Sequence, residues 1–103
     1  MGFYDSKAWE STRAAVLARD SYVCQYFKRF GKMKQANTVH HIFPRSEFPE
    51  YQWKRWNLIS LSQEAHDKMH YRRADELTEI GAELLRRTAR ENGIEIPEKY
   101  IGG

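Results

Sequence analysis

The alternation of apolar and polar residues first indicates a helix near the start of the chain. Between residues 5 and 20, apolar side chains recur every three or four positions, behind a capping residue that is Asp5 or Ser6. This pattern predicts an amphipathic helix that packs on a core. The short apolar segment that follows, residues 22–27, predicts a strand or a turn.

Two strands and a second helix are predicted in the middle of the chain. Residues 38–43 are rich in residue types that favour the extended state, and Pro44 ends the run. Residues 56–61 alternate in the manner of a second strand, and we expect the two strands to pair antiparallel. Ser62 can then cap a helix that continues to about Tyr71.

A last helix and the length of the chain define the expected domain. Thr78 can cap this helix, and Gly93 can end it after a stripe of apolar residues. A chain of 103 residues is long enough for one small domain. We therefore expect a single domain over residues 1–93, with its chemistry in residues 38–71, and a tail over residues 94–103.

Composition narrows the class of protein. A hydrophobic fraction of 41% supports a modest core, and a net charge of +3 permits an anionic partner such as nucleic acid without requiring one. The sequence contains no run of 18 apolar residues, so we expect neither a membrane span nor a membrane partner, and we expect no signal peptide. The single cysteine, Cys24, excludes an intramolecular disulfide and fits a reducing, intracellular location.

The histidines carry the main chemical signal. All four lie in the central stretch: His40 and His41 are adjacent on the first predicted strand, and His66 and His70 share one face of the predicted helix. Neutral imidazole is the commonest protein ligand of transition metals and the usual general base near neutral pH. The pattern therefore predicts a metal site with a spare base. It lacks the His-Glu-x-x-His signature of zinc peptidases, because Asp67 follows His66.

These histidines and an asparagine occur in a known order. The chain resembles the His-Asn-His (HNH) endonuclease family in three segments, Val39-His40-His41-Ile42, Asn57-Leu58-Ile59-Ser60-Leu61 and His66-Asp67-Lys68-Met69-His70. Residues 4–24 also resemble the opening helix of small phage and prophage members. The resemblance implies an α+β fold built on the ββα-metal motif, with a two-stranded antiparallel hairpin and flanking N- and C-terminal helices.

The resemblance also implies an activity, which is metal-dependent hydrolysis of DNA phosphodiester bonds by an endonuclease or nickase. In that family the first histidine of the pair binds the metal and the second is the general base, which assigns these roles to His40 and His41. His66 and His70 correspond to the helical metal ligands, and Asn57 to the residue that braces the loop and the base. One divalent ion is implied, which could be Mn, Mg, Zn, Ni or Co.

One family feature is missing from the sequence. Many phage members bind a structural zinc through two Cys-x-x-Cys pairs, but the corresponding positions here are Cys24, Phe27, Ser62 and Ala65. With one thiol of four, a structural zinc is not expected. We expect apolar packing of Phe27 and Ala65 in its place, with Cys24 as a small buried hydrophobe.

Double-stranded DNA is the partner that the resemblance implies. The motif helix of the family lies along the minor groove, which favours Lys68, Arg72 and Arg73 as phosphate contacts, and Arg45 lies close to the site in sequence. Family analogy adds phage packaging proteins, a monomer or weak dimer, and the cytoplasm of a phage-infected or lysogenic bacterium. Two alternatives stay open: a non-catalytic DNA-binding or packaging accessory module on the same fold, and a ribonuclease.

Overall fold

A computed structural model describes residues 2–71 and 76–102, and over these residues the chain forms four helices and one two-stranded sheet. The helices are α1 (Lys7–Arg19), α2 (Gln25–Lys28), α3 (Gln63–Asp67) and α4 (Glu79–Asn92), and the strands are β1 (Thr38–His41) and β2 (Leu58–Leu61). The predicted α+β fold, with an antiparallel hairpin between flanking helices, is confirmed. No helix in the described part of the chain is long and apolar enough to cross a membrane.

Both strands are shorter than the sequence predicts at the end of the hairpin where His40 and His41 lie. β1 pairs antiparallel with β2, with His40 opposite Ile59 and His41 opposite Leu58. β1 ends at His41, and β2 begins only after a 3₁₀ turn over Arg55–Asn57. The long connection between the strands therefore starts directly after the two adjacent histidines.

Helix α1 packs across one side of the hairpin. Ser6 caps it by accepting a hydrogen bond from the backbone N–H of Trp9 at 3.1 Å. Its apolar face joins the strands in a buried cluster that consists of Trp9, Val16, Leu17, Ala36, Val39 and Leu58. Polar contacts reinforce this packing, because the Ser60 hydroxyl donates to the carbonyl of Val16 and Asp20 accepts from the N–H of Ser60.

A second and larger cluster contains three of the four positions at which the sequence led us not to expect a structural zinc. Cys24, Phe27 and Ala65 are buried in it together, with exposed fractions of 0%, 7% and 0%. Ser62 instead caps α3 by accepting from the N–H of Ala65. Residues 25–28 form the short helix α2, where the sequence predicts a strand or turn. The chain enters this helix through a turn in which Ser21 and Tyr22 adopt positive φ.

Helix α4 and the end of the chain complete the core. Thr78 caps α4 as predicted, and Gly93 ends it with a φ of 63°. Residues 94–102, where the sequence predicts a tail, turn back onto the core: Ile94 and Ile96 pack against the larger cluster, and Tyr100 is buried. The Tyr100 hydroxyl donates to Glu47 at 2.6 Å, which ties the end of the chain to the loop after β1.

Candidate metal centre

Three histidines meet on one side of the hairpin. His40 lies on β1 and is 1% exposed, and its ring centroid is 5.4 Å from that of His66 and 5.1 Å from that of His70. One ring nitrogen from each histidine lies within 4.8 Å of the other two. Three imidazoles at this spacing form a donor set that suits a single divalent ion.

His70 is held in place by a different part of the chain from the one that the sequence predicts. The helix expected to run to Tyr71 ends at Asp67, so His70 does not lie on the helix that carries His66. His70 instead pairs with Leu77 in an isolated antiparallel bridge. The proximity of the two histidines is as expected, but the explanation by helical spacing is wrong, because the chain just before α4 holds His70 in place.

The electrostatics of the cluster favour neutral imidazoles. Burial, and then the neighbouring His70 and His66, hold the pKa of His40 well below its ordinary value of 6.5. Burial and the neighbouring His70 also lower the pKa of His66. Within the described part of the chain, the buried Nε2 atom of His40 has no hydrogen-bond partner. A neutral, buried imidazole whose nitrogen lacks a hydrogen-bond partner can bind a metal ion through that nitrogen. These residues therefore fit such an ion.

His41 lies at the end of β1 in an aromatic environment. Its Nε2 atom is 3.0 Å from the carbonyl oxygen of Gln52, and its ring stacks on Trp9 with centroids 5.2 Å apart. A carbonyl only accepts, so Nε2 carries the proton and Nδ1 is the acceptor in the neutral ring. Burial lowers the pKa of His41 from its ordinary value, and Arg45 lowers it further, whereas the hydrogen bond to Gln52 raises it.

The two adjacent histidines reach one cleft from opposite sides of their strand. Side chains alternate along a strand, and accordingly His40 contacts His66 and His70 whereas His41 contacts Trp9. Because β1 ends here, both rings line the same cleft of about 1150 Å³. The three-histidine cluster and a separate imidazole therefore face the same open cleft.

Asn57 connects the segments around His41. It is fully buried, and its side-chain oxygen accepts from the N–H of Phe43 at 2.7 Å. Its side-chain nitrogen donates to the carbonyls of Phe43 and Tyr51, each at 3.2 Å. Tyr51 immediately precedes Gln52, so this side chain fixes the segment whose carbonyl orients the His41 ring.

The residues expected to contact DNA occupy different places. Arg45 lines the cleft, and its guanidinium lies 4.2 Å from the ring centroid of Phe3. Lys68 is exposed at the end of α3 and does not line this cleft. Arg72 and Arg73 lie outside the described residues.

Sequence reasoning missed two aromatic residues that line the cleft from the N-terminal part of the chain, Tyr4 and Trp9. They lie about 30 residues or more from the histidines in sequence, and no spacing pattern links them to the motif. The packing of α1 on the hairpin brings them to the site.

Comparisons with known proteins identify the class of protein that this site defines. No family model and no curated protein matches the chain. A solved structure does match, the crystal structure of the HNH endonuclease of the deep-sea thermophilic bacteriophage GVE2 with a manganese ion. The two chains are 33% identical with a TM-score of 0.61, and the match covers 88% of this chain and 79% of the phage protein.

An identity of this size over most of both chains shows a common family. The protein is a nuclease, and its three-histidine cluster fits one divalent metal ion. It belongs to the HNH endonuclease family.

Proposed function

We propose that this protein hydrolyses phosphodiester bonds of double-stranded DNA with one divalent metal ion, and that it nicks one strand at a time. The observation that carries the proposal is the shared cleft, in which three metal-binding imidazoles face a fourth imidazole with one anchored nitrogen and one acceptor nitrogen. The relative crystallised with manganese supports a similar ion here, although other divalent ions also suit a histidine site.

His40, His66 and His70 are the proposed ligands. The unsatisfied Nε2 atom of the buried His40 supports this assignment, since a structural histidine normally has a partner for each buried nitrogen. When bound, a divalent ion polarises the scissile phosphate and stabilises the charge that develops on the leaving oxygen. Three protein ligands leave coordination positions for substrate.

His41 is the proposed general base. Its Nε2–H donates to the Gln52 carbonyl, which leaves Nδ1 to accept a proton from the attacking water. A lowered pKa keeps the imidazole neutral near pH 7, as a base requires. Asn57 is proposed as a positioning residue, because its three hydrogen bonds hold the loop that carries Gln52.

Basic residues are proposed to bind the DNA backbone. Arg45 lies in the cleft beside His41, and its stacking on Phe3 pre-organises the guanidinium for a phosphate. Lys68 would contact a phosphate farther from the reacting one. For Arg72 and Arg73 the same role rests on the sequence alone.

The described part of the chain holds one three-histidine cluster, and one set of ligands in a monomer favours nicking over concerted cutting of both strands. The bacteriophage origin of the relative supports a role in an infected or lysogenic bacterial cell. An association with phage packaging proteins stays a prediction.

Cleavage of supercoiled plasmid tests the proposal. We expect the wild type to convert supercoiled DNA to relaxed circles with Mn²⁺ or Mg²⁺ and to stop in EDTA. His41→Ala should cut at least 100-fold more slowly, because a general base contributes about two to four orders of magnitude in rate. Thr88→Ala, which truncates a buried polar side chain outside the cleft, serves as the matched control and should cut like the wild type.

The same assay separates the alternatives. A wild type that binds plasmid but cuts with none of these metals would replace the nuclease proposal with a DNA-binding accessory module. Preferential cleavage of RNA in a competition between labelled RNA and DNA would identify a ribonuclease. A His41→Ala protein that cuts at the wild-type rate would remove His41 from its assigned role.

A further inference from the structure

We propose that Tyr4 is a further catalytic residue, whose hydroxyl holds the attacking water against the Nδ1 atom of His41. This inference rests on the proposed function and names a residue that no motif contains. It follows from the position of the hydroxyl, the contacts that fix the ring and the space between the two polar atoms.

The Tyr4 hydroxyl faces the acceptor nitrogen of His41. Its oxygen lies 3.4 Å from Nδ1, while the Nε2 atom on the other side of the ring is bound to Gln52. A hydrogen bond between a hydroxyl and a ring nitrogen is usually about 2.8 Å long, so this contact is loose. The acceptor nitrogen Nδ1 of His41 therefore lies next to the Tyr4 hydroxyl, but the two do not form a close hydrogen bond.

Aromatic contacts hold the Tyr4 ring in this orientation. Its ring meets Trp9 edge to face, with centroids 5.3 Å apart, and the Arg45 guanidinium lies 5.3 Å from its centroid. The 3₁₀ turn over Phe3–Asp5 leads directly into α1, which is anchored through its Ser6 cap. Tyr4 is nevertheless 51% exposed and lines the cleft, so water reaches its hydroxyl.

The spacing of the two atoms suits one shared water molecule. A water at about 2.8 Å from both Nδ1 and the Tyr4 oxygen is geometrically possible when those atoms are 3.4 Å apart. Such a water donates one hydrogen bond to Nδ1 and a second to the Tyr4 oxygen, which directs a lone pair of the water towards the cleft. Arg45, which lies over the Tyr4 ring, would place a phosphate on that side.

The proposed step is balanced without a further reactant. The water oxygen forms a bond to phosphorus while the bond from phosphorus to the leaving oxygen breaks. The transferred proton goes to Nδ1 of His41, and the leaving oxygen takes a proton from solvent. Tyr4 keeps its own proton throughout, so its contribution is the orientation of the nucleophile.

Removal of the hydroxyl alone tests the proposal. We expect Tyr4→Phe to lower kcat for plasmid nicking about tenfold, the usual effect of one lost hydrogen bond to a reacting atom, with KM and thermal midpoint unchanged. Tyr4→Ala should lower kcat by at least as much. Tyr22→Phe is the matched control, because Tyr22 is 52% exposed and lies outside the cleft, and it should behave like the wild type.

A spectroscopic readout in metal-free protein makes the test independent of activity. The ¹⁵N resonance of His41 Nδ1 should shift in Tyr4→Phe and stay in place in Tyr22→Phe. Unchanged kcat in Tyr4→Phe would overturn the proposal, and so would increased kcat, which would identify a hydroxyl that blocks the base. An inactive wild type would overturn the proposed function together with this inference, whereas an active wild type with an equally active Tyr4→Phe overturns the inference alone.

Discussion

At the scale of a single residue, the burial of His40 makes the stability of the fold depend on pH. In the unfolded chain a histidine takes up a proton near its ordinary pKa of 6.5, whereas the folded His40 resists protonation because it is buried beside two other histidines. Below pH 6.5 the unfolded state therefore binds more protons than the native state. By linkage, the free energy of unfolding falls as the pH falls.

Urea denaturation in EDTA measures this effect. Between pH 7.5 and pH 5.5 we expect the metal-free protein to lose at least about 1 kcal/mol of unfolding free energy, given about 1.4 kcal/mol per unit of pKa difference. His40→Gln removes the titrating group and should show a smaller loss over the same interval. Equal pH dependence in the two proteins would contradict the assignment to His40.

Asn57 is also buried and polar but differs from His40, because its side chain is hydrogen-bonded to the backbone of Phe43 and Tyr51. Asn57→Ala leaves the N–H of Phe43 and two carbonyls without this partner in a buried place. We expect a loss of about 3 kcal/mol of unfolding free energy, at the rate of about 1–3 kcal/mol for each unsatisfied buried group. Asn57→Asp keeps the acceptor for Phe43 but sets a buried carboxylate oxygen against the two carbonyls, so it should be destabilised as well. An Asn57→Ala protein as stable as wild type would show that water replaces the side chain.

At the scale of elements, the start of α4 holds the third histidine in position. A Cβ atom added to Gly81 would overlap the backbone oxygen of Met69, the residue before His70. The N–H of Thr78 donates to that same oxygen at 2.9 Å. Helix α4 can approach the chain at His70 this closely only because position 81 is glycine.

Gly81→Ala should therefore weaken metal binding as well as the fold. We expect a loss of about 1–3 kcal/mol in stability from overpacking and about a tenfold rise in the Kd for Mn²⁺ by calorimetry, as His70 is displaced. Gly93→Ala is the matched control, because its strain comes from a positive φ at the other end of α4, where a Cβ meets nothing within 4 Å. Equal Kd values for the two variants would show that α4 does not position His70.

The elements also show what the sequence could and could not predict. Capping residues and apolar periodicity are local signals, so Ser62 and Thr78 are predicted correctly as the starts of helices, and Ser6 is one of the two caps predicted for α1. The bridge that places His70 and the contact of Tyr4 with His41 depend on tertiary packing between residues far apart in sequence. The resemblance thus predicted that His40, His66 and His70 lie together, but not the backbone that holds them.

At the scale of the whole molecule, the two sides of the site depend on different parts of the fold. Helix α1 and the N-terminal turn surround His41, whereas α3 and the start of α4 support the three-histidine cluster. Both sides of the site include the hairpin, because the side chains of the adjacent His40 and His41 point to opposite sides of β1. Loss of the proposed base should therefore leave metal binding intact, and loss of a proposed ligand should leave the aromatic side folded.

Metal-dependent stability tests this separation on the intact protein. A ligand that binds only the native state raises the unfolding free energy by about 2.7 kcal/mol at 100 times its Kd, so saturating Mn²⁺ should raise the thermal midpoint of the wild type. His41→Ala should gain as much from Mn²⁺ while cutting plasmid at least 100-fold more slowly, and His66→Ala should gain little. Chelation should return the wild type to its metal-free midpoint. If His41→Ala lost the stabilisation by Mn²⁺, the base and the ligands would form one inseparable unit, and the division of the site between the two sides of the hairpin would be wrong.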